Sequence, residues 1–491
     1  MTSGRSFFLN SSSFDGVVEP EFGESVVAKP EGMLAGFPWV CAIVLYTLSW
    51  GWSLLRPNTL YWDDWVVYFD KPLNNGIKTL DVMGRAPWGG LIEFSLLHLG
   101  TWAVTVATFF VFMACSLFLF LILRQGLVLD ASNVRLIVLL FLIFPVNHAR
   151  IAIAIFDYTS SYFLFYLGWF VLVRYKSTKG FVLGCVMLFL SFKTHSFLFF
   201  VLLPFLHFAW LNKTELLAFK KLNLRHLQVA VIAVMPVAYI LLRELFWPPT
   251  GAWVGYQKPS IDGLIRWLPS SAPFILGLVW FLVRRKNQES TDINFVIFWF
   301  GTGVTALAIM PYFVGGLFRD YVSVIALRSD WGNRHQLLMP LGLALTAVGL
   351  NGLLKRHLKN LIFYMAVSVS LLFNSYFGSN YYLDSVKKSQ VVDLFVVRND
   401  LQSNSELVIL DDTKRFNGRG STYRDYEWSG LLKIAGYEVA SVSGKRLCDQ
   451  QPNANQLTLK SETPYLKALA TRDLGLYFEV KPCSEVLAQN G

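Results

Sequence analysis

Apolar runs long enough to cross a membrane recur along the chain from residue 33 to about residue 375. A bilayer core about 30 Å thick needs roughly 20 apolar residues in a helix that spans it. The runs predict an α-helical polytopic membrane protein with about eleven transmembrane helices. These helices are expected at 33–55, 98–123, 134–146, 160–173, 180–192, 197–212, 227–247, 264–283, 293–312, 336–353 and 359–375. The stretch around "SFKTHS" fits either a turn between two helices or one long bent segment.

The region 376–491 is more polar and has no run of membrane length. "ELVILDD" (Glu406 to Asp412), "YEVASV" and "LYFEV" are typical of strands. "YEWSGLLKIAG" (Tyr426 to Gly436) is typical of an amphipathic helix that stops at a glycine. We therefore expect a small α/β domain outside the membrane.

Basic residues are concentrated in alternate loops. One set covers 46 residues with 15 Lys or Arg, and the other covers 97 residues with 10. Because cytoplasmic loops carry an excess of Lys and Arg, the first set is assigned to the cytoplasm. It consists of 124–135, 174–179, 213–226, 284–292 and 355–359, and the second set of 56–97, 147–159, 193–195, 248–263 and 313–335. The tail 1–32 lacks the signal-peptide pattern and is predicted to be cytoplasmic, whereas the loop 56–97 and the C-terminal domain are predicted to face outward.

Composition supports the membrane class and excludes nucleic acid as a partner. The chain of 491 residues is 54% hydrophobic and 15% charged, against about 25% charged in a typical soluble domain. The net charge of +10 comes from short basic loops rather than from a basic face or a nucleic-acid motif.

The five cysteines show no zinc-site spacing. Cys41, Cys115 and Cys185 lie in apolar runs and are expected to be small core residues. Cys448 and Cys483 can pair if the C-terminal region is extracytoplasmic, and the sequence leaves this open.

The first outward loop contains the stretch "LYWDDWVVYFD" from Leu60 to Asp70. Adjacent carboxylates at Asp63 and Asp64 can be solvated, can hold a cation, or can accept a proton from an attacking hydroxyl. Trp62 and Trp65 flank them, and partial burial would raise carboxylate basicity, as a general base requires. The later stretch "APWGGLIEFSLL" is suited to a helix that lies at the membrane interface.

This loop resembles that of the GT-C superfamily of membrane glycosyltransferases, through "YWDD" and the later "GRAPWGG", which begins at Gly84. Within that superfamily it resembles the bacterial branch that includes O-antigen glucosyltransferases of the GtrII type. The resemblance implies transfer of a hexose or pentose, with inversion, from a polyprenyl-phosphate donor to a glycan, lipid-linked or protein acceptor. It implies the outer face of the bacterial inner membrane as the location, and the catalytic base falls on Asp64, which we favour slightly, or on Asp63.

Polyprenyl phosphate as a leaving group needs cations more than a general acid. Lys193 and His195 interrupt an apolar stretch, where ionisable groups are costly and usually face a polar cavity. "RHQLLMP" precedes a late helix and resembles a basic GT-C motif for the carrier phosphate, to which a helix N-terminus and arginines would bind. The candidate donor-phosphate residues are Arg85, Lys193, His195, Arg243, Arg328, Arg334 and His335.

Further polar residues complete the candidates. "FPVNHARIAIAIFDYTSSYF" carries a secondary cluster of His148, Arg150 and Asp157. Asp411 and Asp412, like "FNGRGS", are interpreted as ordinary turns. Adjacent carboxylates can hold a divalent cation, but Arg and Lys can do the same charge work, so no obligatory metal or cofactor is expected. Two alternative functions remain open: a lipid-linked glycan polymerase or ligase, and a flippase or other transporter.

Overall fold

A computed structural model describes most of the chain. The described residues are 34–67, 78–125, 129–217, 223–254, 259–269, 271–272, 276, 293–316, 331–354, 358, 360–398, 406–418, 422–438, 441–443 and 455–483. Arg328 and Cys448 lie outside them, as do the whole of the predicted tail 1–32 and most of the predicted helix 264–283.

The N-terminal three quarters of the chain is helical. Its helices are Trp39–Trp50 (α1), Asp64–Val67 (α2), Trp88–Leu97 (α3), Thr101–Leu123 (α4), Ala131–Ile143 (α5), Phe156–Arg174 (α6), Thr178–Ser191 (α7), Phe197–Phe200 (α8), Leu202–Leu211 (α9), Lys213–Leu217 (α10), Leu224–Phe246 (α11), Ile293–Val314 (α12), Met339–Leu353 (α13) and Leu361–Val396 (α14). Short 3-10 helices precede and follow several of them, including Gly51–Leu55, His148–Ile151, Ile153–Ile155 and Trp331–Gln336. Further helical turns cover 78–82 and 261–269.

Four of the described helices are long and apolar enough to cross a membrane, namely α4, α11, α12 and α14. Shorter apolar helices, among them α5, α7 and α13, accompany them. Many large apolar side chains on these helices face outward, as Phe110 and Leu241 do, because lipid is as favourable an environment for them as a protein core. The chain is therefore a helical membrane protein.

The stretch "SFKTHS" is a turn between two helices. Helix α7 ends at Ser191, and α8 begins at Phe197. Of the two alternatives left open by the sequence, the structure has the pair of helices.

Helix α14 is longer than its apolar pattern predicts. It begins after Asn360, which has a left-handed φ of 70°, and continues to Val396 rather than ending at residue 375. The predicted domain boundary at 376 therefore falls within one continuous helix. Hydropathy drops along its second half because that half packs against the C-terminal domain, where polar residues such as Lys387 and Asp384 are buried.

The C-terminal domain contains a four-stranded sheet. Its strands are Glu406–Asp411 (β1), Ser441–Ser443 (β2), Asn455–Ser461 (β3) and Leu476–Pro482 (β4), in the order β2-β1-β3-β4. Strand β1 is parallel to β2 and β3, and β3 is antiparallel to β4. Helices Asp425–Ile434 (α15) and Tyr465–Thr471 (α16) complete the domain. Strand β3 is an addition to the three strands that the sequence predicts.

A buried ion pair joins α14 to the sheet. Lys387 Nζ donates to both carboxylate oxygens of Asp411, at 2.8 and 2.7 Å, and to Asn417 Oδ1 at 2.5 Å. Burial alone would raise the pKa of Asp411, but the Lys387 ammonium and the hydrogen bonds outweigh this and lower it below 3.8. Asp411, the last residue of β1, and Asn417 thus have a structural role.

The cysteines fall into two groups. Cys483 is disulfide-bonded, whereas Cys41, Cys115 and Cys185 are free. Cys115 and Cys185 are buried as predicted. Cys41 is exposed on the side of α1 that faces away from the other helices, so the prediction of a core position was wrong for Cys41. A single apolar run does not tell which side of a helix faces its neighbours.

Candidate functional site

Asp64 is completely buried and holds the first loop in place. Its Oδ2 accepts hydrogen bonds from the backbone N–H groups of Tyr61 (2.9 Å) and Ile153 (3.1 Å), and its Oδ1 from that of Ala154 (2.8 Å). Burial raises the pKa of Asp64 from 3.8 to about 7, although these three hydrogen bonds and Lys388 oppose the rise. Both carboxylate oxygens accept hydrogen bonds from backbone N–H groups, and these bonds connect this loop to the 3-10 turn before α6.

Asp63 has a different environment from its neighbour. Trp62 before it has a left-handed φ of 48°, which is unusual for an aromatic residue and marks a sharp turn. The Asp63 side chain is 33% exposed. Its Oδ1 accepts a hydrogen bond from the Tyr426 hydroxyl at 2.9 Å and lies 3.5 Å from Arg424 Nη1. Asp63 is therefore within reach of a ligand, whereas Asp64 is not.

Helix α15 of the C-terminal domain covers the first loop. Gly430 packs directly on the Trp65 ring, and a Cβ at this glycine would lie 2.2 Å from a ring carbon. Lys388 of α14 donates to the Leu60 carbonyl at 2.8 Å. The two regions that the sequence analysis assigns to the outer side thus contact each other.

A second group of charges surrounds Asp157, in the first turn of α6. Lys193 Nζ pairs with its Oδ1 at 2.9 Å, and Arg85 Nη1 pairs with its Oδ2. Lys193 and Asp157 are almost completely buried, and Arg85 is 18% exposed. Arg85 also donates to the Tyr158 hydroxyl at 2.9 Å, and Lys193 to Ser160 Oγ at 2.6 Å. Three separate segments of the chain thereby form a buried triad with one excess positive charge.

Gly89, the first glycine of "APWGG", packs against the ion pair of Asp157 and Lys193. A Cβ at Gly89 would lie 2.9 Å from Asp157 Oδ1 and 3.3 Å from Lys193 Cδ. Only glycine lets helix α3 approach the ion pair so closely. Gly84, with a φ of +68°, makes the turn that directs Arg85 toward Asp157.

Other predicted phosphate-binding residues lie around this triad. Arg243 Nε donates to the Gly84 carbonyl at 2.9 Å, and both Arg243 and Arg85 are close enough to His195 to interact with it electrostatically. Arg334 interacts in the same way with Tyr158. His335 packs on Tyr312, with ring centroids 4.6 Å apart. We call the group of Arg85, Lys193, Arg243 and Arg334 around Asp157 the cationic cluster. His195 and His335 adjoin these arginines, but burial and the nearby positive charges lower the pKa of both imidazoles, so the two rings add no positive charge.

The predicted grouping of His148 and Arg150 with Asp157 is not what the structure has. Among the described residues, no hydrogen bond or ion pair joins either of them to Asp157. His148 packs on Phe377 and its Nε2 lies 3.1 Å from Asn374 Oδ1, while Arg150 lies over Trp50. An extended residue, Ala152 (ψ 139°), separates the two 3-10 turns and redirects the chain between these residues and Asp157.

The acidic loop and the cationic cluster lie at the same end of the helical region. Asp64 binds Ile153 and Ala154, and Asp157 follows three residues later, which is about 4.5 Å of helical rise. One buried carboxylate therefore connects the loop that presents Asp63 to the helix that carries the triad.

A groove of about 700 Å³ opens beside the loop. It lies between the chain from Leu55 to Leu60, helix α14 and helix α15, and Trp65 lines it as well. Arg56, Lys388 and Arg472 bring positive charge to a lining that is otherwise partly apolar. Sequence reasoning missed these residues and Tyr426, because they come from segments without a motif; the position of Arg56 at the start of the acidic loop was the one available signal.

The described residues contain no group of three or more His, Cys, Asp or Glu side chains arranged to hold a metal ion. The prediction that none is obligatory stays a prediction. No protein-family model and no curated protein sequence matches this chain. The resemblance of "YWDD" and "GRAPWGG" to GT-C enzymes thus depends on those residues alone.

Proposed function

We propose that this protein is a GT-C-type membrane glycosyltransferase that moves a sugar from a polyprenyl-phosphate donor to a cell-envelope acceptor. One observation carries the proposal. An accessible carboxylate, Asp63, and a buried cluster of cations lie at the same end of a helical membrane protein, joined through the hydrogen bonds of Asp64. This is the pair of features that sugar transfer from a lipid phosphate requires.

The proposed chemistry is a single displacement at the anomeric carbon. Asp63 accepts the proton of the acceptor hydroxyl. At the same time the oxygen of that hydroxyl forms the new bond to the anomeric carbon. The bond from the anomeric carbon to the phosphate oxygen breaks, and the electron pair stays on the phosphate. Arg85 and its neighbours stabilise the charge of the departing phosphate, so a general acid is unnecessary. One displacement inverts the anomeric centre.

The two aspartates divide the work in this proposal. The geometry favours Asp63 as the base rather than Asp64, which the sequence analysis favoured slightly. Asp64 has both oxygens bound to backbone N–H groups, and a side chain with no exposed surface cannot meet an acceptor hydroxyl. Its role is to hold the loop.

The acceptor would bind in the groove beside the loop. Leu60 and Trp65, which line the groove, are close neighbours of Asp63 in the chain, so an acceptor there would present a hydroxyl near the base. Tyr382 offers an apolar ring for the face of a sugar, and Arg56 offers hydrogen-bond donors.

We further propose eleven spans in a bacterial inner membrane, with Asp63, the groove and the C-terminal domain on the outer face. Reporter fusions after residues 130, 176, 288 and 357 are expected to report the cytoplasm, and a fusion after residue 400 the exterior. The basis is the density of Lys and Arg in alternate loops. A cytoplasmic signal from the fusion at 400 would contradict the orientation, because the first loop contacts the C-terminal domain and would move with it.

Arg334 is expected to bind the phosphate of the donor. Arg334→Ala should raise the donor KM or lower donor turnover by the equivalent of roughly 1.5–3 kcal/mol, the usual loss for a hydrogen bond to a charged group. Arg334→Lys should recover part of this, because lysine keeps the charge and lacks the fork of donors. Steady-state kinetics with varied donor would measure both variants.

A control for this comparison is Arg225→Ala. Arg225 lies at the start of α11, at the opposite end from Arg243, and pairs with Glu215 at 3.2 Å. Its donor kinetics should match those of the wild type. Unchanged donor kinetics in both Arg334 variants would remove Arg334 from the site.

A further inference from the structure

Two arginines that line the groove beside the first loop have no carboxylate partner in the described part of the chain. Arg56 and Arg472 both belong to the lining, and neither guanidinium makes a hydrogen bond or an ion pair with a described residue. Lys388, the third cation, pairs with Asp384 at 2.9 Å. Among the described lining residues the one carboxylate is that of Asp393. The groove therefore carries an excess of positive charge.

The Arg56 guanidinium lies over the face of an aromatic ring. Its Cζ is 5.8 Å from the centroid of Tyr382, which also lines the groove. A cation is attracted to a ring face, and this contact leaves the N–H donors in the guanidinium plane unused. Arg56 is therefore positioned at the groove with its donors available to an anion.

Arg472 is positioned by its backbone. It follows α16 with a left-handed φ of 60°, a conformation that glycine adopts more easily than arginine. Gln390 of α14 holds this turn from both sides, because its Nε2 donates to the Arg472 carbonyl at 3.2 Å and its Oε1 accepts from the Leu474 N–H at 3.1 Å. The turn thus places an exposed guanidinium at the groove.

In the proposed membrane orientation the groove lies beyond the lipid core. Tyr382 is about 30 Å along α14 from Leu361, which is the thickness of that core. The C-terminal domain already contacts α14 at this level, since the Tyr465 hydroxyl donates to Asn380 Oδ1 at 2.7 Å and lies 2.9 Å from Ser379 Oγ. The part of α14 that lines the groove begins at this level and extends away from the membrane.

The two arginines lie at different heights along α14. Arg56 lies over Tyr382, and the turn of Arg472 contacts Gln390, about 12 Å farther along the helix. A single phosphate head group of a lipid would occupy one of these positions. A chain of sugars that carries acidic groups can reach both, so the spacing favours a glycan over a lipid.

We propose that the acceptor is an acidic glycan whose carboxylate or phosphate groups bind Arg56 and Arg472 while its sugars lie along the groove. Guanidinium groups bind both kinds of anion through paired N–H donors. Asp393 and Ser389 can accept hydrogen bonds from sugar hydroxyls. The role as acceptor rests on the proposed transferase function, but binding of the glycan can be measured without any transfer.

Binding of defined oligosaccharides to the full-length protein in phosphatidylcholine nanodiscs tests this site. Two matched pairs serve as probes, tetragalacturonate with its methyl ester and phosphorylated mannopentaose with mannopentaose. The wild type should bind at least one acidic member roughly tenfold or more tightly than its neutral counterpart, the effect of about one hydrogen bond to a charged group. Isothermal titration calorimetry would measure the dissociation constants.

Three variants locate the effect. Arg56→Gln and Arg472→Gly should each reduce the preference for the acidic probe several-fold, and the double variant should abolish it. Arg472→Gly removes the charge and suits the left-handed backbone, so its melting temperature should stay close to that of the wild type. Lys467→Gln is the matched control and should keep the full preference, because Lys467 is an exposed cation of α16 that does not line the groove.

A wild type without preference for the acidic member of either pair would overturn the proposal, and so would an undiminished preference in the double variant. Phosphatidylglycerol that copurifies with the wild type and is lost in the double variant, without any preference for acidic glycans, would assign the arginines to a lipid head group and overturn it as well. Preferential binding of an acidic probe without sugar transfer from any polyprenyl-phosphate donor would support the glycan site and contradict the transferase function alone.

Discussion

The Asp63→Asn variant is expected to insert and fold like the wild type and to transfer sugar about 10²–10⁴-fold more slowly. Asparagine keeps the shape of the side chain and removes its basicity, and losing a general base costs a rate factor of this size. The amide oxygen can still accept the hydrogen bond from Tyr426, so the contact with α15 should persist. Single-turnover transfer with saturating donor and acceptor would measure the effect.

Asp64→Asn is the companion variant, and it should fail in a different way. An amide nitrogen at position 64 can no longer accept one of the backbone N–H bonds that the carboxylate holds. Losing a hydrogen bond to a charged group costs roughly 1.5–3 kcal/mol of stability. We expect a lower melting temperature and less folded protein, with substantial turnover per folded molecule.

The division of roles between the two aspartates would be contradicted by the reverse pattern. Wild-type rates in Asp63→Asn, or a well-folded and inactive Asp64→Asn, would return the base to Asp64. Wild-type rates in both variants would remove the base from this loop altogether.

Asp157→Asn is expected to lower the yield of folded protein severely. The change leaves Arg85 and Lys193 facing each other in a buried site without their shared carboxylate. Breaking a buried ion pair by removing one partner costs about 3–5 kcal/mol, because the remaining charge stays uncompensated. Monodisperse protein after detergent extraction, together with its melting temperature, is the measurement.

A second substitution separates charge balance from donor binding. Asp157→Asn combined with Lys193→Met restores the single excess positive charge of the triad and should recover much of the folded protein, while donor use stays impaired. Glu215→Gln is the control, since it breaks an exposed pair with Arg225 that is worth about 0–1 kcal/mol. Stability of Asp157→Asn equal to that of the control would show that the triad does not support this part of the fold.

The four described helices of membrane length all lie where the sequence predicts a transmembrane helix, and the eleven spans stay a proposal. The elements outside the lipid followed less completely from the sequence. A segment that crosses a membrane must be apolar over its whole length, so α4 and α11 are visible as runs. The second half of α14 has no such constraint, and its polar residues are buried by the C-terminal domain. Strand β3 shows only Leu457 and Leu459 in a polar context, which is too short an alternation to predict.

The site was predictable in its residue types and less so in its pairings. Arg85 and Lys193 were candidates, Arg85 because it belongs to "GRAPWGG" and Lys193 because it interrupts an apolar stretch. Their shared partner, Asp157, was instead grouped with its neighbours in sequence, His148 and Arg150. A turn at Ala152 separates them, and no periodicity reveals it. The choice between Asp63 and Asp64 likewise depends on the left-handed backbone of Trp62.

The most direct test of the central claim is the reaction of the purified protein, reconstituted in vesicles, with radiolabelled polyprenyl-phosphate sugars and an envelope glycan fraction. Our account predicts that label moves from at least one such donor to the glycan and that polyprenyl phosphate is released in equal amount, with Asp63→Asn nearly inactive. Movement of intact lipid-linked sugar between leaflets without bond cleavage would contradict it and favour a flippase. Joining of preassembled glycan chains, with no transfer from the single-sugar donors, would contradict it and favour a polymerase or ligase.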